Sequence, residues 1–367
     1  MDSPVRALVG MSGGVDSSVA ALLLKRAGFE VVGVTMKVWD GPALPENACR
    51  NASACYGPGE AKDIEAAEKI CSQLGIPHHT LDLAPEYKKE VIENFRKGYL
   101  SGRTPNPCVR CNRALKFGLL VEAARRSGLV FERFATGHYA RISFNKDSGR
   151  YELRCPADIS KDQSYFLSGL SQSQLSIVLF PLGSLMKKEV FEIARKEGWT
   201  ELAGKPECQD FIEGDYSTLF SESERVPGPI MNCSGKVIGR HAGLTSYTVG
   251  QRKGLGVGGL KEPLYVVGKD SSSNALIAGT REDLQASGTE VDIFNWVSCA
   301  PKTSPFKALA RLRSSQRGVE SEVEPLPNGG LRVKFSKPQF AVAPGQTLAL
   351  YEDDMLLGGG EMTEALK

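Results

Sequence analysis

The sequence predicts an α/β protein in which a parallel-sheet domain is followed by a small central domain and a C-terminal β-barrel or sandwich. Short apolar runs alternate with helical patterns up to about residue 205, which is typical of a parallel sheet covered by helices. From Pro227 onward, glycine and proline separate short β-rich segments, as in small barrels and sandwiches. The length of 367 residues fits two or three domains. We therefore expect domains at 1–205, 206–282 and 283–367.

The elements of the first domain follow one another in a regular order. The buried-strand pattern Arg6–Gly10 leads into a loop and then into a helix over 19–27, which Gly28 ends. A second apolar strand covers 30–36, so a strand–loop–helix–strand unit opens the sheet. The same patterns predict helices over 61–74, 85–100, 116–127, 171–179 and 187–197, and strands over 78–83 and 133–136. The glycine-, proline- and asparagine-rich segment 40–59 is predicted to be a loop.

The later part of the chain is predicted to be β-rich. Short apolar stretches bounded by turn residues predict strands at 237–239, 264–267, 308–312, 331–335 and 347–351.

Composition and sequence patterns disfavour a membrane protein, a secreted protein and a disordered chain. Hydrophobic residues make up 41% of the chain and charged residues 24%, which is ordinary for a globular protein. The sequence contains neither a signal-peptide pattern nor an apolar run long enough for a membrane helix. We therefore expect a cytoplasmic protein without membrane contact. We also expect it to be a monomer in the free state. Nine cysteines in such a chain argue against a disulfide framework and for reactive or metal-binding thiols.

The net charge of the whole chain is only +2, but two of its segments are strongly basic. Residues 85–126 contain ten Lys and Arg against four Glu, and residues 301–340 contain eight against three. Such segments are either RNA-facing surfaces or solvated faces of ordinary helices and strands. We predict that 96–126 and 302–317 form parts of one RNA surface.

The first functional motif is an anion-binding loop. Ser12-Gly13-Gly14-Val15-Asp16-Ser17 stands between a predicted strand and a helix, where backbone N–H groups and the helix dipole bind phosphate. It lacks the lysine of the Gly-Lys-Ser/Thr loop and the spacing of the dinucleotide fingerprint. It matches the signature of the PP-loop ATP pyrophosphatases, which predicts ATP as substrate. Asp16 is read either as a helix cap or as a ligand of the Mg²⁺ that accompanies ATP.

The second motif contains two cysteines three residues apart. Cys108 and Cys111 follow the extended stretch Thr104-Pro105-Asn106-Pro107, and this spacing suits a zinc half-site, a redox pair or an iron–sulfur site. Two buried structural cysteines are the remaining alternative. Arg103, Arg110 and Arg113 lie nearby in the sequence, so we expect the thiolate form to be favoured.

Taken together, the motifs resemble those of the tRNA 2-thiouridylases, which thiolate the wobble uridine of certain tRNAs. The similar stretches follow in order along nearly the whole chain: 10–17, 102–107, 135–140, 161–165, 248–256 and 344–346. The resemblance implies an α/β adenylating domain, a central domain and a C-terminal β-barrel.

The resemblance also implies functional residues. ATP would be contacted by Gly10, Met11, Ser12, Gly13, Gly14, Val15, Asp16, Ser17, Met36 and Gly137. The tRNA and its target base would be contacted by Asn106, Pro107, Cys108, His138, Lys161, Asp162, Gln163, Arg313, Ser314 and Gln346. Cys111 would be the catalytic nucleophile and Cys208 would carry the sulfur as a persulfide, supplied by a sulfur-donor protein such as a persulfide relay or a cysteine desulfurase.

Two departures from the family pattern affect the sulfur chemistry. Cys108 stands where the family commonly has Asp, and Cys208 stands in place of the serine of the family's Lys-Pro-Glu-Ser-Gln-Asp-Ile-Cys-Phe stretch, ahead of the family's second cysteine. These departures leave two mechanisms open. One is a persulfide relay that ends in a disulfide; the other is a [4Fe–4S] cluster on Cys108, Cys111 and Cys208.

Two other classes of function are alternatives to tRNA thiolation. A small-molecule adenylating ligase of the PP-loop type would not need Cys108, Cys111 and Cys208. A non-catalytic RNA-binding protein is disfavoured by the ATP loop.

Overall fold

The computed structural model describes residues 4–41, 54–204, 210–212, 216–258 and 262–367. The strands are β1 (Arg6–Gly10), β2 (Glu30–Lys37), β3 (Ala54–Tyr56), β4 (His78–Asp82), β5 (Arg133–Ala135), β6 (Arg141–Asn145), β7 (Arg150–Arg154), β8 (Val178–Leu179), β9 (Asp210–Ile212), β10 (Gly228–Asn232), β11 (Val237–His241), β12 (Tyr265–Asp270), β13 (Ala275–Gly279), β14 (Gln285–Trp296), β15 (Phe306–Arg311), β16 (Val319–Pro325), β17 (Leu331–Phe340), β18 (Thr347–Glu352) and β19 (Met355–Leu366).

The α-helices are α1 (Val15–Arg26), α2 (Glu60–Leu74), α3 (Ala84–Tyr87), α4 (Glu93–Leu100), α5 (Pro107–Arg110), α6 (Leu120–Arg126), α7 (Gln172–Leu175), α8 (Lys187–Lys196) and α9 (Thr200–Gly204). Two π-helical stretches, Lys88–Ile92 and Cys111–Leu119, join neighbouring α-helices. Short 3₁₀ turns cover Ile159–Lys161, Ser164–Leu167, Tyr216–Leu219, Glu222–Glu224, Leu244–Ser246 and Glu282–Leu284. Within the described ranges, none of the helices combines the length and the apolar character needed to cross a bilayer.

The first domain is built on a five-stranded parallel sheet with the order β4-β2-β1-β5-β8. The central strand β1 is buried on both faces, as the continuous apolar run predicts. Leu8 belongs to the core on one face and Val9 to the core on the other, and both are 0% exposed. The predicted parallel α/β sheet is confirmed.

The C-terminal part is a closed six-stranded antiparallel barrel. Its strands follow the order β14-β17-β16-β15-β18-β19, and β19 returns to pair with β14. Along β17, buried Leu331, Val333 and Phe335 alternate with exposed residues, which is the pattern of a strand with one face in a core. The predicted barrel is therefore confirmed, and between it and the first domain stands a smaller sheet with the order β11-β10-β13-β12.

A hairpin of the first domain extends the sheet of the barrel. Strands β6 and β7 form this hairpin, and β7 pairs with β19 through Leu153 opposite Leu356. Leu153 shares one buried cluster with Leu8 of the parallel sheet and with Tyr351 of the barrel. The two parts are therefore joined by a continuous apolar core, which the sequence patterns do not predict.

Two predicted elements are wrong. The predicted helix over 171–179 is only the short helix α7, which begins with a capping box between Ser171 and Gln174. Val178 then pairs with Phe134, so β8 is the edge strand of the parallel sheet. The predicted loop 40–59 contains β3, which pairs in parallel with β9.

Candidate active site

The predicted anion-binding loop connects β1 to α1. The Ser12 amide donates to Ser17 Oγ at 3.2 Å, and the Ser17 hydroxyl donates to the Gly14 carbonyl at 3.1 Å. Gly13 has φ = +68°, and a Cβ there would stand 2.3 Å from the Asp63 carbonyl oxygen on α2. Because the first N–H groups of a helix have no partner within it, the loop and the start of α1 present donors to an anion.

The residues predicted to contact ATP lie together at the carboxyl edge of the sheet. Gly10 ends β1, Met36 lies near the end of the adjacent β2, and Gly137 follows the adjacent β5. A Cβ on Gly137 would stand 2.7 Å from the Asp16 carbonyl carbon and the Ser17 amide nitrogen. The loop after β5 therefore packs directly on the first turn of α1, and Gly137 allows this close approach.

Asp16 is held by two residues that sequence reasoning missed. Lys187 Nζ lies 2.7 and 2.8 Å from the two carboxylate oxygens, and the Tyr139 hydroxyl donates to one of them at 2.9 Å. The Lys187 side chain is 8% exposed. The N-cap of α1 is Gly14, so the expectation that Asp16 caps this helix is wrong. Both of its oxygens bind Lys187, so Asp16 is one half of a largely buried ion pair.

The Cys-x-x-Cys motif lies at the start of a long helical segment. Asn106 is the N-cap of α5, and its side-chain oxygen accepts from the Val109 amide at 3.2 Å. Pro107 occupies the first turn, where its missing N–H has no cost. Cys108 lies in this turn, and Cys111 begins the π-helical stretch, a deviation that is frequent at functional sites.

The expectation of a thiolate at Cys111 is wrong. Burial raises the pKa of the Cys111 thiol to about 11, although Lys116 acts in the opposite direction. Two of the arginines expected to favour the thiolate are paired with carboxylates: Arg110 with Glu90 at 2.6 Å and Arg103 with Glu361 at 2.9 Å. Cys111 is therefore a neutral thiol at pH 7, because burial removes the water that would stabilise the thiolate.

A further thiol, which sequence reasoning left without a role, lies near this motif. The pKa of Tyr87 is raised by its burial and also by its proximity to Cys111, Cys55 and Cys108. Cys55 lies on β3 and is exposed, whereas Cys108 and Cys111 are partly buried. The predicted sulfur carrier Cys208 lies outside the described residues, shortly before β9, the strand that pairs with β3.

His138, predicted to lie beside the target base, is a neutral imidazole. Burial lowers its pKa well below the usual range, and Lys116 lowers it further. Its Nδ1 lies 2.8 Å from the Thr136 hydroxyl, and its ring packs near Phe117 and Phe180. The ring is therefore fixed in orientation and uncharged.

Four of the residues predicted to contact tRNA line one cavity of about 550 Å³. They are Asn106, Arg313, Ser314 and Gln346, and the cavity wall also contains Thr104, Tyr165, Thr248, Val249, Gly250, Gln251, Ser315 and Ala343. All three parts of the chain contribute to this wall. The Thr104 hydroxyl is buried and has no hydrogen-bond partner within the described part of the chain. A buried polar atom without a partner is uncommon in folded proteins.

The predicted residues 161–163 have different surroundings. Lys161 is partly exposed at the end of a 3₁₀ turn, whereas the Asp162 side chain is 5% exposed and pairs with Arg311 at 2.5 Å. Gln163 Oε1 accepts from the Tyr139 amide at 2.8 Å. Asp162 and Gln163 thus make contacts within the protein.

The predicted basic surface is partly neutralised. Besides Arg103, Arg110 and Arg311, Arg96 is paired with a carboxylate, that of Glu224, at 2.6 Å. Arg313 instead donates to the Ala341 carbonyl at 3.2 Å and lines the cavity.

Three family models match successive parts of the chain. The model described as tRNA methyl transferase HUP domain matches residues 5–213, and the model described as tRNA methyl transferase PRC-barrel domain matches 217–280. The model described as aminomethyltransferase β-barrel domain matches 287–362.

Similar proteins extend over nearly the whole chain. One from Endomicrobium trichonymphae, named tRNA-specific 2-thiouridylase MnmA, is 44% identical over 98% of this chain and 99% of its own length. Proteins of the same name from Chloroflexus aurantiacus and Gloeothece citriformis are 44% and 43% identical over 96% and 97% of this chain, and 97% and 98% of their own lengths. Among solved structures, a 4-thiouridine synthetase–RNA complex with bound ATP is 18% identical and covers 55% of this chain and 43% of its own, with a TM-score of 0.34, a likeness too weak to support an inference. With 44% identity over 98% of its length, the chain belongs to the tRNA-specific 2-thiouridylase family, a family of tRNA sulfurtransferases.

Proposed function

We propose that this protein replaces the C2 oxygen of the wobble uridine of tRNA by sulfur, at the expense of ATP. The observation that supports this most is the combination of an anion-binding loop with a Cys-x-x-Cys helix and an interdomain cavity lined by polar residues. Full-length similarity to proteins named tRNA-specific 2-thiouridylase gives independent support.

ATP activates the uridine in this proposal. The loop from Gly10 to Ser17 suits the triphosphate, because it leads into the amino-terminal end of α1, where the first N–H groups and the helix dipole favour an anion. The close approach at Gly137 holds the loop after β5 against this first turn. The C2 oxygen attacks the α-phosphate, pyrophosphate leaves, and AMP becomes a good leaving group in place of oxide. Loop N–H groups that point toward the developing phosphate charge stabilise the transition state. With Asp16 paired to Lys187, we assign no step to a protein-held Mg²⁺.

Two cysteines then exchange sulfur for AMP. The terminal sulfur of a Cys208 persulfide attacks C2 and expels AMP, which leaves the base joined to Cys208 through a disulfide. The Cys111 thiolate attacks the Cys208 sulfur, the 2-thiouridine is released, and a Cys111–Cys208 disulfide forms. A dithiol reductant restores both thiols, and a persulfide-bearing protein reloads Cys208. Because the pKa of Cys111 is about 11, this thiol must lose its proton before it attacks.

The tRNA would occupy the interdomain cavity with at least one nucleotide. A volume of about 550 Å³ suits a base and its sugar. Asn106, Arg313, Ser314 and Gln346 supply hydrogen-bond partners there, and Arg313 adds a positive charge. His138 is neutral and rigidly packed beside the Cys-x-x-Cys helix, so it would meet the target base as a hydrogen-bond partner or a stacking surface.

An iron–sulfur mechanism is the alternative for the second step. No group of three or more metal-ligating side chains occurs within the described residues, and these include Cys108 and Cys111 but not Cys208. We therefore derive no step through a cluster. Anaerobic purification followed by iron and sulfide analysis tests it, since an iron-free protein that thiolates tRNA with a persulfide donor would exclude the cluster as a requirement.

The decisive experiment measures the modified base. Mass spectrometry of tRNA from cells that lack this protein should show loss of 2-thiouridine, restored by the wild-type gene and not by Cys111→Ser. Sulfur substitution and methyl addition change the mass differently, so the same spectra separate thiolation from methyl transfer. Unchanged 2-thiouridine in the deleted strain would refute the proposal. A small-molecule ligase would be favoured instead if ATP turnover needed no RNA and if Cys111→Ser retained it in full.

A further inference from the structure

A buried ion pair joins the barrel to the loop that carries residues 161–163. Arg311 Nη1 lies 2.5 Å from Asp162 Oδ2, with side-chain exposures of 17% and 5%. The Arg311 guanidinium lies over the Tyr351 ring, 4.2 Å from its centroid, and its Nη2 lies 3.7 Å from Cys155 Sγ. The second Asp162 oxygen accepts from the Ser164 amide at 2.9 Å. The Arg311 guanidinium and the Asp162 carboxylate therefore make their contacts within the protein.

The segment held by this pair is bonded to the loop that contains His138. Gln163 Oε1 accepts from the Tyr139 amide at 2.8 Å, and the Gln163 amide donates to the Tyr139 carbonyl at 3.1 Å. The Tyr139 hydroxyl in turn donates to Asp16, in the first turn of α1, at 2.9 Å. A continuous series of polar contacts therefore runs from the barrel to the anion-binding loop.

We propose that Arg311 and Asp162 are positioning residues, through which the barrel fixes Gln163, Tyr139 and the His138 loop against the anion-binding loop. This inference rests on the proposed function. Arg311 ends β15, and Arg313, two residues later, lines the cavity assigned to tRNA. RNA bound in the cavity thus contacts the same short segment that holds Asp162. The pair aligns the base-binding and ATP-binding parts and makes no direct contact with RNA.

The role predicts an effect on turnover and little effect on tRNA affinity. In Arg311→Gln and in Asp162→Asn, tRNA-dependent AMP formation should fall about tenfold to hundredfold, as expected when reacting groups are displaced by about 1 Å. The double variant should be no slower than the slower single variant, because both changes remove one interaction. Arg311→Lys, which keeps the charge, should recover part of the turnover. Arg313→Ala is the matched control and should weaken tRNA binding.

Amide hydrogen exchange gives a readout that does not depend on activity. The Tyr139 amide is protected by Gln163, so its exchange should accelerate in Arg311→Gln and Asp162→Asn, while amides of β1 stay protected. If exchange changes but the wild type thiolates no tRNA, the proposed function fails, and only the structural coupling of the Arg311–Asp162 pair to the Tyr139 amide stands.

Two outcomes would overturn the positioning role. One is normal turnover and normal Tyr139 exchange in folded Arg311→Gln. The other is a loss of tRNA affinity and of salt dependence equal to that of Arg313→Ala, with turnover unchanged, which would make Arg311 an RNA contact.

Discussion

Substitution of Gly137 by alanine tests whether the loop after β5 must lie directly on the ATP site. The new Cβ would stand 2.7 Å from two backbone atoms of Asp16 and Ser17, whereas ordinary carbon contacts need about 3.5 Å. One backbone must therefore move by about 0.8 Å, and a displacement of this size at reacting groups reduces rates by about a hundredfold. Steady-state AMP formation with varied ATP should show this loss in kcat/KM for ATP.

The control for this substitution is Gly268→Ala. An added Cβ at Gly268, on β12, meets no atom within 4 Å, so this variant should match the wild type. The melting temperature of each variant separates misplacement from unfolding. Wild-type kcat/KM for ATP in a folded Gly137→Ala protein would refute the assignment of this edge of the sheet to ATP.

Three further predictions concern the thiols and the RNA surface. Because burial raises the pKa of Cys111 to about 11, single-turnover release of 2-thiouridine should accelerate with pH, about tenfold per unit between roughly pH 7 and 9. Lys116→Gln should slow this release, because the charge of Lys116 lowers the pKa of Cys111. A rate that does not change with pH would contradict this prediction. Cys111→Ser should abolish thiolation yet retain AMP formation. Cys233→Ser, which removes an exposed thiol of the central sheet region, should keep both activities, and thiouridine and AMP assays on the two variants check this. Arg313→Ala should weaken tRNA binding and reduce the dependence of the affinity on salt by about one phosphate contact, whereas Lys337→Ala should change neither. Filter-binding titrations at several salt concentrations check this. Equal salt slopes for Arg313→Ala and the wild type would exclude a phosphate contact by Arg313.

Local patterns were sufficient to predict the sheet and the anion-binding loop. A continuous apolar run at β1, two glycines and a helix start predict a buried strand followed by a phosphate loop, and each of these signals lies within a few residues. Strand spacing predicts a barrel or a sandwich in the C-terminal part, and only the family resemblance favours the barrel; its closure by the β14–β19 pairing is a finding of the structure. By contrast, β8 is only two residues long, and its strand conformation depends on pairing with Phe134, which no local pattern encodes.

The electrostatic surroundings of the site could not be predicted, because they depend on distant partners. Arg110 is paired with Glu90, so counting arginines near Cys111 in the sequence overestimates the positive field. Lys187 reaches Asp16 from 171 residues away, and Arg311 reaches Asp162 from 149 residues away. The pKa of Cys111 follows from three-dimensional burial, which outweighs the charge of Lys116.

The position of β19 has a consequence for how the chain folds during synthesis. This strand pairs with β14 and β18 to close the barrel and also with β7 of the first domain. Until residues 355–366 leave the ribosome, three strand edges stay open, one of them in a hairpin made some two hundred residues earlier. Open edges of this kind invite pairing with other chains. Loss of these twelve residues would therefore leave the amino-terminal domain with an aggregation-prone edge as well as opening the barrel.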